Sequence, residues 1–174
     1  MKVVGLVASI GICTSTSGDA QQSNPVKAEG LTNGNPSFDR FFDQKGFQSM
    51  FPDAVALYNF DNLVSAANVY PEFANTGNDV NDKRELAAFL AQTAYESNYF
   101  KDTEEIERDT FSVEQYCDKI TYPCAPGRRY HGRGPIQLSW NYNYFMAGKA
   151  LGIDLLNNPD IVATDSNVAY FGCG

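Results

Sequence analysis

The sequence predicts one mainly α-helical domain with long loops. Apolar residues recur at helical intervals in the stretch 82–97, whereas the alternation of apolar and polar residues that marks β-strands is scarce along the chain. Glycines and prolines punctuate stretches such as 122–135, which is typical of loops. With 174 residues, the chain has the length of a single domain and is long enough to bury a core.

Two short helices are predicted before the strongest periodic segment. The first lies within 37–52, where Ser37 offers a capping residue, Gly46 is expected to break the helix and Pro52 to stop it. The second is predicted over 61–69, and it ends before the next proline because the residue preceding a proline disfavours the helical conformation.

The third helix, predicted over 82–97, carries the clearest signal. Its apolar residues fall at helical intervals, and Asn81 or Asp82 is expected to cap its N-terminus. One more helix is predicted to start at Trp140 or Asn143 and to end near residue 151, where a loop follows.

The N-terminus has the pattern of a secretory signal. Lys2 precedes an 11-residue apolar run that small residues follow, and this run is shorter than the roughly 20 residues that a membrane span needs. The alternative is a buried strand. We expect 1–17 to be a signal peptide of a secreted, extracellular protein, 18–36 to be a flexible leader rich in Ser, Thr, Gly and Asn, and 37–174 to be the folded domain.

The negative net charge argues against polyanionic partners. A formal charge of −8 and a pI near 4.5 repel phosphate backbones and anionic lipids, so we expect neither nucleic acid nor a membrane surface as a partner. A neutral ligand fits better. The aromatic content of 13% suits sugar faces, although ordinary core packing accounts for most aromatic residues in a protein of this kind.

Glu96 lies at the end of the third predicted helix, beside its apolar stripe. A carboxylate in that position is partly desolvated, and desolvation raises its pKa toward the range in which it can donate a proton near neutral pH. The alternative is a glutamate at a frayed helix end that reaches into water.

An acidic run follows Glu96 and contains Glu104, Glu105 and Glu107. Such runs are usually solvated surface. If one of these carboxylates faces Glu96 across a cleft, the pair has the composition of an inverting glycosidase site, in which one group protonates the leaving oxygen and the other activates a water. That arrangement requires about 6.5–9.5 Å between the carboxyl groups.

Polar and aromatic residues are mixed in the stretch 122–144, YPCAPGRRYHGRGPIQLSWNYNY. Its glycines and prolines fix a tight loop, while Gln137, Ser139 and Asn143 supply neutral donors and acceptors beside Trp140. A ligand rich in hydroxyl groups needs this mixture. A loop stabilised by its own side chains is the alternative.

Several motifs together resemble the family 19 chitinases. The stretch GRGPIQLSWNYNY is similar to the family signature, and GFQSMFP, KRELAAFLAQTAYES, YPCAPGRRY and GIDLLNNPDIVATD follow the family pattern in the same order over 47–165. The resemblance implies an endo-acting, inverting hydrolase of β-1,4-linked N-acetylglucosamine polymers. It also implies a lysozyme-like, two-lobed, mainly helical fold, a chitin or chitooligosaccharide substrate, a monomer, and no metal or cofactor.

The resemblance also implies roles for individual residues. Glu96 takes the position of the general acid, Glu105 that of the general base nine residues later, and Ser139 that of a hydroxyl that helps to hold the attacking water. Cys117 and Cys124 are expected to form a small disulfide loop. The positions that contact sugar correspond to Tyr130, Gln137, Trp140, Tyr142 and Asn143.

This sequence departs from the family pattern at three places. Tyr95 stands where the family usually has a histidine before the acid, and Asn98 and Tyr99 stand where two glycines often follow it. The chain ends at Gly174 where relatives continue, so the second lobe is expected to be incomplete and Cys173 to lack its partner. These departures keep open a second hypothesis, a sugar-binding protein that hydrolyses little; action on peptidoglycan is a weaker third.

Overall fold

The computed structural model describes residues 37–120 and 122–170 as helices joined by long loops. This confirms the mainly α-helical fold class. Two isolated β-bridges, Glu104 with Arg133 and Arg133 with Leu138, are the extended pairings outside the helices of this part of the chain. The predicted signal peptide, the leader and Cys173 lie outside the described residues, and none of the described helices is long and apolar enough to cross a membrane.

The described residues form six α-helices and two short 3-10 helices, with loops between them. The 3-10 helices are Ser37–Arg40 and Arg108–Thr110. The α-helices are α1 (Gln44–Met50), α2 (Phe60–Ala67), α3 (Asp79–Glu96), α4 (Asn141–Leu151), α5 (Ile161–Thr164) and α6 (Ser166–Ala169).

The N-terminus of α3 lies one turn earlier than the sequence predicted. Asn78 is the cap, and its side chain accepts hydrogen bonds from the backbone N–H groups of Val80 and Asn81. Asp82, one of the predicted caps, is instead fully buried, where its carboxylate accepts from Arg40 at 2.6 Å and from the Thr76 hydroxyl at 2.6 Å. A tertiary contact has therefore taken the side chain that looked like a local cap.

The expectation that Gly46 breaks the first helix is wrong. Gly46 lies inside α1, and its N–H donates to the side chain of the cap residue Asp43 at 2.8 Å. A glycine in the first turn costs little when its N–H is satisfied by a cap and Phe47 beside it is buried. The predicted stop is confirmed, because α1 ends at its C-cap Phe51, next to the following proline.

Two hydrophobic clusters hold the helices together. The first is rich in aromatic rings that meet edge to face, such as Phe51 and Phe100 with centroids 4.7 Å apart. The second surrounds α4 and contains Tyr130, Tyr144 and Leu155. The chain between Phe100 and Tyr130 connects the two clusters and carries the acidic run, while α6 contributes residues to both.

Candidate functional site

Glu96 is the last residue of α3, and its side chain is exposed. Partial burial raises its pKa above the usual carboxyl value, while a hydrogen bond donated by Gln92, 2.8 Å from Oε1, acts in the opposite direction. The direction of the shift agrees with the sequence prediction. Glu96 is nevertheless open to solvent and is not enclosed by the apolar stripe of its helix.

The backbone after Glu96 turns through three consecutive left-handed residues. Asn98, Tyr99 and Phe100 have φ values of 52°, 59° and 61°, a region that glycine adopts at little cost. Ser97 holds this turn: it is buried, its hydroxyl donates to the Thr93 carbonyl at 2.6 Å, and it accepts from the Phe100 N–H at 3.0 Å. The turn is therefore built without the two glycines that its geometry favours.

Glu105 is held on both carboxylate oxygens. The Tyr116 hydroxyl donates to Oε1 at 2.9 Å and the Gly132 N–H donates to Oε2 at 3.1 Å. The backbone N–H of Glu105 in turn donates to the Gly132 carbonyl at 2.8 Å. Glu105 is half-buried, so it is a fixed group with a defined orientation, unlike the solvated charge that its acidic run suggested.

Glu104, the neighbouring carboxylate, is held by two arginines and a histidine. Its Oε1 lies 3.0 Å from Arg133 Nε and 3.1 Å from His131 Nε2, and its Oε2 lies 3.3 Å from Arg108 Nε. Burial alone would raise the pKa of Glu104, but the hydrogen bond with His131 and the charges of Arg133 and Arg108 bring that pKa below its usual value. Glu104 is thus a structural anion.

Arg133 connects this part of the chain to α5, and the sequence did not single out that role. The side chain is only 3% exposed, and its guanidinium also bonds Asp160 at 2.7 Å and the Tyr144 hydroxyl at 3.0 Å. The available signal in the sequence was the positive charge of Arg133 in the glycine-rich loop, which could lie opposite the carboxylates of the acidic run.

His131 is a buried member of the same network. Burial, followed by the charge of Arg133, lowers its pKa, whereas Glu104 and Glu105 act in the opposite direction. Its Nδ1 is buried and has no hydrogen-bond partner among the described residues. The arrangement suits a neutral ring that donates from Nε2 to Glu104, and His131 is a packing residue rather than an accessible base.

Three of the predicted sugar-contacting and water-holding residues lie around the start of α4. Gln137 is half-buried with a left-handed φ of 56°, and its amide donates to the Gly134 carbonyl at 3.1 Å. A Cβ on Gly132 would come within 2.5 Å of the Gln137 side-chain oxygen, so Gln137 packs directly over Gly132, the same residue that bonds Glu105. Ser139 is half-buried, and exposed Asn143 donates to its carbonyl at 2.8 Å.

Aromatic rings lie beside Glu105. Trp140, 37% exposed, stacks on Tyr142 with centroids 5.9 Å apart and meets Tyr116 edge to face at 5.5 Å. Tyr116 is the residue that bonds Glu105. A chain of contacts therefore links Glu105 to Trp140 through Tyr116, a residue that sequence reasoning missed, and Trp140 in turn contacts Tyr142.

Tyr130 does not belong to an accessible surface. It is 0% exposed, its hydroxyl donates to the Leu156 carbonyl at 2.9 Å and accepts from the Ala125 N–H at 2.8 Å. A side chain without accessible surface cannot contact a sugar, so the substrate contact assigned to Tyr130 is corrected to a core role. Its hydroxyl thereby joins the loop before α4, at Ala125, to the segment after α4, at Leu156.

The Cys117–Cys124 disulfide is present in the structure, which confirms the expected pairing. Asn141, fully buried, holds the loop that this disulfide closes: its side chain donates to the carbonyls of Asp118 and Tyr122 and accepts from the Asp118 N–H. These contacts fix the segment that carries Tyr116.

An apolar groove of about 510 Å³ runs along α3, and neither Glu96 nor Glu105 lines it. Tyr95 and Tyr99 do, at 78% and 64% exposed. Within residues 37–120 and 122–170, the hydrogen bonds of the Glu96 side chain stay in its own helix and none joins it to Glu105. The other lining residues are Phe41, Phe42, Met50, Phe51, Lys83, Leu86, Ala87, Leu90, Ala91 and Ala94.

Known proteins of one family match this chain. The family model described as "Chitinase class I" matches residues 35–173. "Chitinase 3" of Oryza sativa subsp. japonica is 46% identical over 133 residues, covering 67% of this chain and 40% of the relative. "Inactive chitinase-like protein 1" of Hevea brasiliensis is 44% identical over 127 residues, covering 67% of this chain and 40% of the relative.

A solved structure shows the same fold. The crystal structure of chitinase C from Streptomyces griseus HUT6037 superimposes with a TM-score of 0.71 at 40% identity, covering 83% of this chain and 66% of that one. The chain spans about two fifths of the length of the curated relatives it matches.

Proposed function

This chain belongs to the class I chitinase family, and from that premise we propose that it hydrolyses β-1,4 linkages between N-acetylglucosamine units of chitin or chitooligosaccharides with inversion at the anomeric carbon. The family match over residues 35–173 carries the proposal. The negative net charge also favours a neutral polysaccharide over a polyanionic substrate.

In this proposal Glu96 is the general acid. Its exposed position gives a substrate access to it, and the raised pKa keeps a larger fraction of the carboxyl group protonated as the pH approaches neutrality. The Gln92 amide donates to one oxygen, which leaves the other oxygen for the leaving group.

Glu105 is the general base in this proposal, and the contacts of the acidic run favour it over Glu104. Arg133, Arg108 and His131 surround Glu104, so protonating that carboxylate would cost the contacts that hold it. Glu105 has two neutral donors and partial access to solvent, which suits a carboxylate that orients a water and then takes its proton.

The proposed reaction is a single displacement. Glu96 gives its proton to the glycosidic oxygen as the bond from that oxygen to the anomeric carbon breaks, while a water attacks the carbon from the opposite face and passes a proton to Glu105. Ser139 helps to hold the water. The sugar rings contact Trp140, which is 37% exposed, and Tyr142, which is half-buried. They also bond the amides of Gln137 and Asn143.

The test is hydrolysis of a chitin hexamer, with the anomeric form of the first product followed by NMR. We expect the α-anomer from the wild type and a loss of about 10²-fold or more in kcat for Glu96→Gln and for Glu105→Gln. Glu107→Gln is the matched control, because Glu107 is exposed in the same acidic run. Wild-type turnover by either active-site variant, or β-anomer as first product, would contradict the proposed roles.

A second candidate function is binding of chitooligosaccharides without turnover. Tyr95 stands beside Glu96 where the resemblance implies a histidine, and one relative that is 44% identical is named an inactive chitinase-like protein. The same assay distinguishes the two functions, since a binding protein retains the hexamer in a calorimetric titration while releasing no product.

We also propose that the protein is secreted and acts as a monomer. The N-terminal apolar run supports secretion, and the Cys117–Cys124 disulfide fits an oxidising compartment. Mass spectrometry of the secreted chain, which gives its first residue, and analytical ultracentrifugation test the two statements.

A further inference from the structure

Tyr116 joins Glu105 to the aromatic surface at the start of α4. Its hydroxyl lies 2.9 Å from Glu105 Oε1, and its ring lies between Phe111 and Trp140, which it meets edge to face at centroid distances of 5.9 and 5.5 Å. The ring cannot rotate away from Glu105 without separating these contacts.

The backbone of Tyr116 is held as firmly as its ring. The residue has a left-handed φ of 63°, its carbonyl accepts from the N–H of buried Asn141 at 3.0 Å, and the next residue, Cys117, is half of the disulfide. An unfavourable backbone conformation in a non-glycine residue persists only where surrounding contacts enforce it. Here the surrounding contacts hold the backbone of Tyr116 in the conformation that places its hydroxyl on Glu105.

We propose that Tyr116 is a positioning residue: it orients the Glu105 carboxylate toward the attacking water and couples that orientation to the sugar bound on Trp140. The inference rests on the proposed function. Tyr116 does not touch the reacting atoms; it acts through Glu105. Because Gly132 bonds the other oxygen, the two donors together fix the plane of the carboxylate.

The hydroxyl stays protonated throughout the working range. Burial, followed by the hydrogen bond and the charge of Glu105, raises the pKa of Tyr116 to about 12. His131, whose pKa Glu105 also influences, is buried, and its pKa is lowered. Tyr116 therefore donates its hydrogen bond at every pH of the assay. The pH profile that its removal would change is that of the proposed general base.

The first experiment compares Tyr116→Phe with the wild type in kcat, KM and the pH dependence of kcat/KM. The variant keeps the ring and loses one hydrogen bond to a charged group, so we expect kcat to fall about tenfold with little change in KM, and the acidic limb of the profile to move up by about one pH unit. The matched control is Tyr122→Phe, because the hydrogen bond of the Tyr122 hydroxyl within the described residues goes to Met146 Sδ.

An unchanged kcat and pH profile in Tyr116→Phe, or equal changes in Tyr122→Phe, would overturn the positioning role.

A second measurement does not depend on turnover. The ionisation of the Tyr116 hydroxyl is followed against pH by the NMR chemical shift of the ring carbon that bears it, in the wild type and in Glu105→Gln. We expect the pKa of the Tyr116 hydroxyl to fall from about 12 toward the usual tyrosine value in Glu105→Gln. An unchanged titration would overturn the proposal even if the chain hydrolyses chitin, whereas a shifted titration without turnover would refute the proposed function alone.

Discussion

The two carboxylates assigned to catalysis have contrasting surroundings. Glu96 ends a regular helix, is exposed, and bonds a residue four positions earlier in that helix. Glu105 lies in an irregular segment, is half-buried, and bonds residues 11 and 27 positions away in the sequence. The position of Glu96 therefore depends on local helix formation, and that of Glu105 on the packing of distant loops.

Removing Arg133 is the largest disruption of the Glu105 side. Arg133→Met leaves Glu104 without its closest cation and Asp160 without its partner. Removing one partner of a fully buried ion pair typically costs about 3–5 kcal/mol. Arg133 is buried, but Glu104 and Asp160 are 26% and 63% exposed, so we expect a smaller decrease, about 2 kcal/mol, in the free energy of unfolding, measured by urea denaturation.

The control is Arg108→Met, which removes a more exposed cation from the same carboxylate and should cost about 1 kcal/mol or less. Equal losses in both variants would mean that burial of Arg133 does not set the strength of this network.

On the Glu96 side, glycine substitutions in the left-handed turn should stabilise the protein. Tyr99→Gly relieves an unfavourable φ of 59° and should raise the free energy of unfolding by about 1 kcal/mol, and Asn98→Gly by less because asparagine tolerates this region. Thermal unfolding measures both. Tyr95→Gly is the contrasting control, since replacing tyrosine by glycine in the last turn of α3 should destabilise the protein by about 0.5 kcal/mol. A lower melting temperature for Tyr99→Gly would show that contacts of the exposed ring outweigh the backbone cost.

The smallest effect is the pH dependence contributed by Glu96 itself. Its folded-state pKa is raised, so the folded state binds the proton more tightly than the unfolded state does. The resulting stabilisation is fully present below the ordinary carboxyl pKa and is lost as the pH rises through the folded value. We expect Glu96→Gln to flatten the fall of stability that sets in as the pH rises above the ordinary carboxyl pKa, by a few tenths of a kcal/mol because the group is largely solvated.

Glu107→Gln is again the reference, since Glu107 is exposed and, although it is the N-cap residue of the 3-10 helix Arg108–Thr110, its side chain makes no capping hydrogen bond. A Glu96→Gln curve that loses stability toward neutral pH as steeply as the wild type would remove Glu96 as the source of this dependence.

The sequence predicted the helical parts of the fold more accurately than the loops. It predicted α3 and α4 to within about one turn because apolar periodicity and end signals act over a few residues. It failed at Gly46, where the cap Asp43 offsets a weak helix former, and at Asp82, whose carboxylate serves a contact with Arg40 across 42 residues. It also assigned Tyr130 to the ligand, because a motif match does not report burial.

By itself, the sequence determined the helical class, the family resemblance, the disulfide pairing, and the place of Glu96 at the end of a helix. Only the tertiary structure decided that Glu104 is a structural anion paired with Arg133 and that Glu105 is held by Tyr116 and Gly132. The physical reason is the distance along the chain over which each interaction acts. Helix periodicity and capping are interactions between neighbours in the chain, whereas the burial and hydrogen bonding that distinguish two adjacent glutamates come from residues far away in sequence, whose positions only the packed fold establishes.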